Sequence, residues 1–210
     1  MIFDIIQTKT SFNMEWRAQA GDVVIAQAEA PFMPNMFLAE VRCDGEIRKI
    51  INDPSDKSFG TSLIDRLTFR IYDADRYVGF IRGNTKRVKG FFASYPYYEY
   101  VDGDVTYTMY EVGFGSKGLY LCIYRDEELL AVVEKDLVTV NFADKYICYL
   151  SDESQALIVT TAVIYYDVVS YGDFMNIAVY SKKKSVVNTY QKELKAKFDA
   201  SFIDKVKANN

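Results

Sequence analysis

The chain of 210 residues (24.1 kDa) is 50% hydrophobic and 26% charged, which predicts a globular fold with a sizeable core and excludes a disordered chain. It contains no histidine, which excludes Ser-His-Asp and Cys-His catalysis, histidine acid-base chemistry and imidazole zinc sites. The net charge of −4 is unevenly placed, because residues 182–210 carry eight lysines against three acidic residues and the preceding part is acidic.

The cysteines and the N-terminus bear on the compartment. Cys43, Cys122 and Cys148 are isolated, without C-x-x-C spacing. We therefore expect buried thiols in a reducing, intracellular environment and no thiolate zinc site. Met1 to Asp4 lack the basic region of a secretory signal. A cytoplasmic protein is expected, and peripheral membrane association stays open.

The first part of the chain predicts short strands. Ile2–Lys9 and Asn13–Ala20 are strand-like, and the second run alternates apolar and polar side chains. Strand patterns continue over residues 23–29 and 36–42. Asp44-Gly45 then predicts a two-residue hairpin turn, because glycine tolerates a positive φ.

The following part repeats this organisation. Strands are predicted over residues 67–72, 77–82, 86–95, 97–101 and 105–112, with turns between them at sites such as Gly83-Asn84 and Asp102-Gly103. Residues 71–81 align without a gap on residues 123–133, and each segment reads as strand, acidic turn and strand. The strand spacing predicts a sandwich or a barrel. No linker divides the chain, so we expect a single domain over residues 1–181.

Residues 155–171 form the most distinctive segment. The β-branched residues in it favour a strand, but seventeen residues without glycine or proline are typical of a helix. Its apolar residues face every side, which indicates a helix buried in a core or spanning a membrane. A spanning helix takes about 20 apolar residues, whereas Asp167 interrupts this run after eleven. We expect the helix to be buried within the β-structure.

The order of these elements resembles the tubby C-terminal superfamily, which includes LURP-one-related proteins and phospholipid scramblases. The segments that carry the resemblance are residues 41–47 (VRCDGEI), 110–115 (YEVGFG), 119–124 (LYLCIY), 131–135 (AVVEK), 146–148 (YIC) and the apolar helix. The resemblance implies a mainly β fold, in which an antiparallel barrel of about 12 strands encloses the central helix. It also implies a binding module, because tubby-type domains bind phosphoinositide headgroups through basic residues.

Several motifs that suggest cofactors have structural explanations. Residues 113–118 fit the dinucleotide fingerprint G-x-G-x-x-G, but a strand pattern follows where the fingerprint needs a helix. Acidic pairs such as Asp73/Asp75 and Asp102/Asp104 lie at predicted turns, where aspartate is favoured. We therefore predict no catalytic residue, no cofactor and no metal site, and we expect that the protein is not an enzyme.

A compact basic cluster is the first candidate site. Lys86, Arg87 and Lys89 precede two phenylalanines, and on a strand Arg87 and Lys89 share one face. These side chains are candidates for binding a lipid phosphate, and the alternative is a solvated strand face. The acidic character of the preceding chain argues against nucleic acid.

The C-terminal segment is the second candidate site. Apolar residues at spacings of three and four predict a basic amphipathic helix over residues 182–210. Its candidate membrane or partner surface comprises Tyr190, Leu194, Phe198, Phe202, Lys192 and Lys195. The helix is expected to pack on the barrel, on a second copy or on an anionic membrane. Two functions follow, a binding module for anionic phospholipid or a protein partner, and a structural protein that self-associates through this helix.

Overall fold

The computed structural model of the protein is mainly β. It describes residues 1–10, 13–31, 33, 36–52, 68–87, 94–141, 143–171 and 182–210. The strands are β1 (Ile2–Lys9), β2 (Asn13–Ala20), β3 (Val23–Pro31), β4 (Phe37–Cys43), β5 (Glu46–Asn52), β6 (Phe69–Asp73), β7 (Arg76–Arg87), β8 (Ser94–Asp102), β9 (Val105–Gly113), β10 (Leu119–Arg125), β11 (Glu128–Lys135), β12 (Val138–Val140), β13 (Lys145–Leu150) and β14 (Lys182–Lys184).

Twelve of these strands form a closed antiparallel barrel. Neighbours along the chain pair from β1 to β11, β11 then pairs with β13, and β13 closes the barrel against β1. The remaining strands, β12 and β14, form a separate two-stranded sheet. The prediction of a mainly β fold with a barrel of about 12 strands is confirmed.

Five tight hairpin turns lie at one end of the barrel, because every second connection of an antiparallel meander returns to the same end. They are Gly21-Asp22, Asp44-Gly45, Ala74-Asp75, Gly103-Asp104 and Asp126-Glu127. Asp44 and Gly45 have φ of 49° and 85°, which confirms the predicted hairpin turn. We call this the turn end, and the opposite end, where β7, β9 and β11 finish, the loop end.

One predicted strand boundary is wrong. The sequence predicts a turn at Gly83 and Asn84 and a new strand over residues 86–95. In the structure Gly83 pairs with Tyr98 and Asn84 pairs with Tyr97, and β7 continues to Arg87. The long pairing with β8 outweighs the local turn preference of Gly-Asn.

The central helix, α1, spans Ala156–Ser170, close to the predicted 155–171. Asp152 Oδ1 accepts the backbone N–H of Ser154 at 2.9 Å and starts a 3-10 turn, Glu153–Gln155, that leads into the helix. Thirteen of its 15 residues are buried. Together with one face of the barrel, α1 forms a single hydrophobic cluster, which explains why β-branched residues are helical here.

The size of the barrel side chains determines where α1 packs. It contacts β3, β4 and β5 most extensively. Small buried residues on this side are Ala18, Ala26, Ala28, Ala30 and Ala39. Across the helix, Tyr165 meets the rings of Phe69 and Tyr98 at centroid distances of 5.1 and 5.9 Å. The alanines permit close approach, and the aromatic rings fill the wider side.

The single helix predicted over residues 182–210 is wrong. This segment, the tail, contains β14 and two short helices, α2 (Lys192–Lys195) and α3 (Ala200–Ala208). Asp199 separates the helices, because its Oδ1 accepts the Ser201 N–H at 2.9 Å and starts α3 afresh. Apolar residues of the tail are nevertheless buried against the barrel. They lie on the face opposite to the one that packs against α1.

Candidate anion-binding surface

Acidic side chains are concentrated at the turn end of the barrel. Twelve of the 29 acidic residues lie in or beside the connections of the turn end: Asp22, Asp44, Glu46, Asp73, Asp75, Asp102, Asp104, Asp126, Glu127, Glu128, Asp152 and Glu153. Four basic residues, Arg48, Lys49, Arg76 and Arg125, pair with carboxylates of this group. The remaining chain has 21 basic against 17 acidic residues.

The loop end joins the two basic segments that the sequence leaves far apart. Lys86 and Arg87 are exposed at the end of β7, and Arg87 pairs with Ser94 at the start of β8. The Ser94 carbonyl accepts the side-chain N–H of Gln191 at 3.4 Å. Gln191 directly precedes α2, so Lys192 follows the residue that contacts Ser94 at the start of β8.

The basic surface continues to the β9–β10 connection. Lys195 Nζ lies 5.9 Å from the centre of the Phe114 ring, and the 3-10 turn that follows Phe114 ends at the exposed Lys117. We call Lys86, Arg87, Lys117, Lys192 and Lys195 the basic arc. None of the five forms an ion pair with another described residue. Their positive charges are therefore available to an anionic partner.

The apolar candidates of the tail divide into two groups. Leu194 is only 5% exposed, and Phe198 and Phe202 pack in part against the barrel. Tyr190 points to solvent and is 82% exposed, next to the basic arc. Lys89, the third residue of the predicted basic cluster, lies outside the described residues.

Two glycines of the G-x-G-x-x-G motif hold the tail in place. The Gly113 carbonyl accepts the Thr189 N–H, and the Gly115 N–H donates to the Val187 carbonyl, at 2.9 and 2.8 Å. A Cβ on Gly113 would lie 2.3 Å from the Val187 carbonyl oxygen. Gly115 has a φ of +66°. The motif therefore serves close backbone approach of the tail.

Replacing Gly113 by alanine is expected to displace residues 187–189 and lower the free energy of unfolding by about 1–3 kcal/mol. Urea unfolding measures the loss, and trypsin cleavage at the tail lysines reports the displacement. Gly83→Ala is the matched control, because an added Cβ there meets nothing within 4 Å. Equal stability and equal protection of the two variants would contradict the assigned role of Gly113.

The tail covers an aromatic part of the barrel. The Phe198 ring stacks on Tyr120 at 4.2 Å between centroids. Lys197 Nζ lies 4.9 Å from the ring centres of both Tyr110 and Tyr124, and the Tyr124 hydroxyl donates to the Lys197 carbonyl at 2.8 Å. Burial raises the pKa of Tyr124 to about 12, so its hydroxyl stays protonated as a donor. These contacts hold the residues directly after α2 on the barrel and thereby position Lys192 and Lys195 of the basic arc.

A buried polar cluster lies beneath the loop end and was not predicted from the sequence. Asp167 of α1 is 2% exposed and accepts the indole N–H of Trp16 at 2.9 Å and the hydroxyl of Tyr146 at 2.5 Å. Burial and the negative charge of Asp144 raise the pKa of Asp167 to about 6. Burial and the charge of Asp167 hold the pKa of Tyr146 well above its usual value.

Asp144 has a different set of partners. It is 4% exposed, pairs with the ammonium of Lys135 and accepts the Thr139 hydroxyl at 2.7 Å. Its backbone N–H donates to the side chain of Gln7 at 3.4 Å. Lys135 Nζ also lies 4.4 Å from the centre of the Tyr171 ring. The cluster thus joins α1, β1, β2, β11, β12 and β13.

The described residues show no arrangement typical of a metal site or of a reactive thiol. They contain no group of three or more cysteine, aspartate or glutamate side chains that is arranged to hold a metal ion. Cys43, Cys122 and Cys148 are free and buried, and burial raises the pKa of Cys122 to about 12. Within the same described ranges, every helix is too short or too polar to cross a membrane.

Comparisons with known proteins add no relative. The chain matches no protein-family model, no curated protein and no solved structure. The interpretation of the loop end therefore depends on its own residues and geometry, and the tubby-like resemblance stays a prediction.

Proposed function

We propose that the protein is a non-enzymatic binding module whose loop end docks on an anionic phospholipid surface. The observation that carries this proposal is the uneven charge: the turn end has twelve carboxylates, most of them without an ion pair among the described residues, whereas the side chains of the basic arc at the loop end form no ion pair with a described residue. An anionic surface attracts the loop end and repels the turn end, so the charges orient the molecule as well as bind it. The resemblance to tubby-like domains implies the same class of ligand.

The exposed aromatic side chain next to the basic arc supports a membrane rather than a small anion. Tyr190 is 82% exposed and lies directly before Gln191 and Lys192. Tyrosine is favoured at the level of lipid headgroups, where its ring is apolar and its hydroxyl is hydrated. Lysines beside it would contact the lipid phosphates.

The packing of α1 supports a function on the surface. We infer that α1 fills the interior of the barrel, since its residues cluster with buried residues of strands around the whole barrel. An interior filled in this way leaves no room for a ligand of ordinary size. The loop end and the tail are then the parts available for binding.

Self-association through the tail is the alternative function. Leu194, Ile203 and Val206 are already buried on the barrel of their own chain. A second copy would have to contact the exposed Tyr190 and Val186, or exchange the tail. We therefore favour the membrane surface.

The double substitution Lys86→Gln/Arg87→Gln tests the proposal. Each basic residue near an anionic surface contributes about 1 kcal/mol, so the pair should weaken binding about 30-fold at low salt. Co-sedimentation with vesicles of phosphatidylserine and phosphatidylcholine measures this loss. Vesicles of phosphatidylcholine alone should not bind either protein.

Lys205→Gln/Lys207→Gln is the matched control. It changes the net charge equally, but both lysines lie on α3, which packs through Ile203 and Val206 on β11 and β13. Its affinity should stay within about twofold of the unmodified protein. No binding of that protein to anionic vesicles at low salt, or equal losses in the two variants, would refute docking through the basic arc.

A further inference from the structure

The buried cluster beneath the loop end contains more acid than base. Asp144 and Asp167 are both nine-tenths or more buried, and Lys135 is the one ammonium that faces them among the described residues. The other polar groups that face Asp167 from neighbouring strands are Trp16 and Tyr146, which are neutral. With both carboxylates ionised, the cluster carries one uncompensated negative charge in a buried position, which is unfavourable.

A third acidic side chain is connected to the cluster through a tyrosine. Glu111 on β9 accepts the hydroxyls of Tyr166 and Tyr171, at 2.5 and 3.1 Å. The ring centre of Tyr171 also lies 4.4 Å from Lys135 Nζ, so Tyr171 contacts both Glu111 and the cluster. Glu111 is another acidic side chain and does not compensate for the charge of the cluster.

The hydrogen bonds determine which carboxylate takes the proton. Asp144 receives an ammonium and a hydroxyl, and a positive partner stabilises the ionised form. Asp167 receives only an indole N–H and a phenolic O–H, which stabilise its charge less. Asp167 is therefore the proton acceptor of the pair, and its raised pKa agrees with this assignment.

We infer that Asp167, held between Trp16 and Tyr146 and paired electrostatically with Lys135 and Asp144, is a proton-binding site that regulates docking of the loop end. Uptake of one proton from solvent neutralises the cluster. The bound proton thus removes a negative charge from the end of the molecule that carries the basic arc. Affinity for an anionic surface therefore rises as the pH falls. This regulation depends on the proposed function, whereas the proton site itself does not.

The cluster is also connected to the tail. Thr139, which donates to Asp144, lies on β12, and β12 pairs with β14 at the start of the tail. The Ser185 N–H donates to the Leu137 carbonyl at 2.8 Å and continues this pairing. The proton site and the tail that carries Lys192 and Lys195 thus share a strand pair.

The single tryptophan of the chain gives a test of proton binding in the unmodified protein. Trp16 donates directly to Asp167, so its fluorescence should change in one transition with a midpoint near pH 6. Asp167→Asn should remove the transition, because an amide does not titrate. A fluorescence signal that stays constant between pH 4.5 and 8 would refute the proton site.

Vesicle binding then tests the regulation. Between pH 7.5 and pH 5.0 the affinity of the unmodified protein for phosphatidylserine vesicles should rise about fivefold, the effect of one charge near the surface. The affinity of Asp167→Asn should change by less than twofold over the same pH range. Any change that remains in this variant measures the contribution of the other carboxylates. Equal pH dependence of the two proteins would refute the regulation.

A reciprocal measurement needs no variant. Coupling between two binding events acts equally in both directions, so phosphatidylserine vesicles should raise the midpoint of the Trp16 transition by about 0.7 pH unit. Phosphatidylcholine vesicles should leave it in place. A fluorescence transition in a protein that binds no anionic vesicles at any pH would refute the proposed function and keep the proton site. Vesicle binding without a shift of the midpoint would refute their coupling.

Discussion

Replacing Lys135 by methionine is expected to lower the free energy of unfolding by about 3–5 kcal/mol at pH 8. Methionine preserves the length of the side chain, but it leaves the Asp144 carboxylate buried without its ammonium partner. Urea unfolding at pH 8 measures the loss.

The double variant Lys135→Met/Asp144→Asn separates charge from packing. Removing both charged partners should restore most of the stability, because position 144 no longer carries a buried charge without its ammonium, and the net charge of the cluster, now on Asp167, returns to that of the unmodified protein. The amide oxygen of the new asparagine can still accept the Thr139 hydroxyl. A loss below about 1 kcal/mol in the single variant, or no recovery in the double variant, would contradict the assigned ion pair.

Replacing Leu194 by alanine is the second large effect that we expect, with a loss of about 2–3 kcal/mol. Leu194 is buried among Tyr95, Tyr110 and Cys122 on the barrel, and truncation removes its contacts and leaves a cavity. The loss of stability cannot exceed the free energy with which the tail binds the barrel. If the substitution removes more than this free energy, the tail detaches, and trypsin cleaves at Lys192 and Lys195 while the barrel stays folded.

Tyr190→Ala is the matched control for Leu194→Ala. Both residues come from the same apolar pattern of the tail, but Tyr190 is 82% exposed. Its removal should change stability by less than about 0.5 kcal/mol and leave the trypsin pattern unchanged. Stability losses of similar size in the two variants would show that the tail is not packed as described.

Local signals explain the part of the fold that the sequence predicts. The Asp44-Gly45 turn follows from the conformational freedom of glycine. The similarity of residues 71–81 to residues 123–133 corresponds to two hairpins with the same irregularity: the register shifts between Ile71 and Tyr72 in one and between Ile123 and Tyr124 in the other. Such hairpins are specified by neighbouring residues, so an analysis of short segments finds them.

The candidate surface depends on contacts that short segments do not encode. The sequence singles out Lys86 and Arg87 in one segment and Lys192 and Lys195 in another, without a reason to join them. Their proximity results from strand pairing and from the Ser94–Gln191 hydrogen bond, which spans 97 positions. The same holds for Asp167, which the sequence shows only as an interruption of an apolar run. Its partner Trp16 is 151 positions away.

The closure of the barrel determines when the protein can complete its fold during synthesis. Ile2 pairs with Tyr149, so the first strand waits for its second neighbour until residue 149 has been made. Until then both edges of the growing sheet are unpaired, and α1, which comes later still, is not yet present to cover its hydrophobic face. Folding should therefore be slow, with a dependence on chaperones that a protein of local contacts would not have.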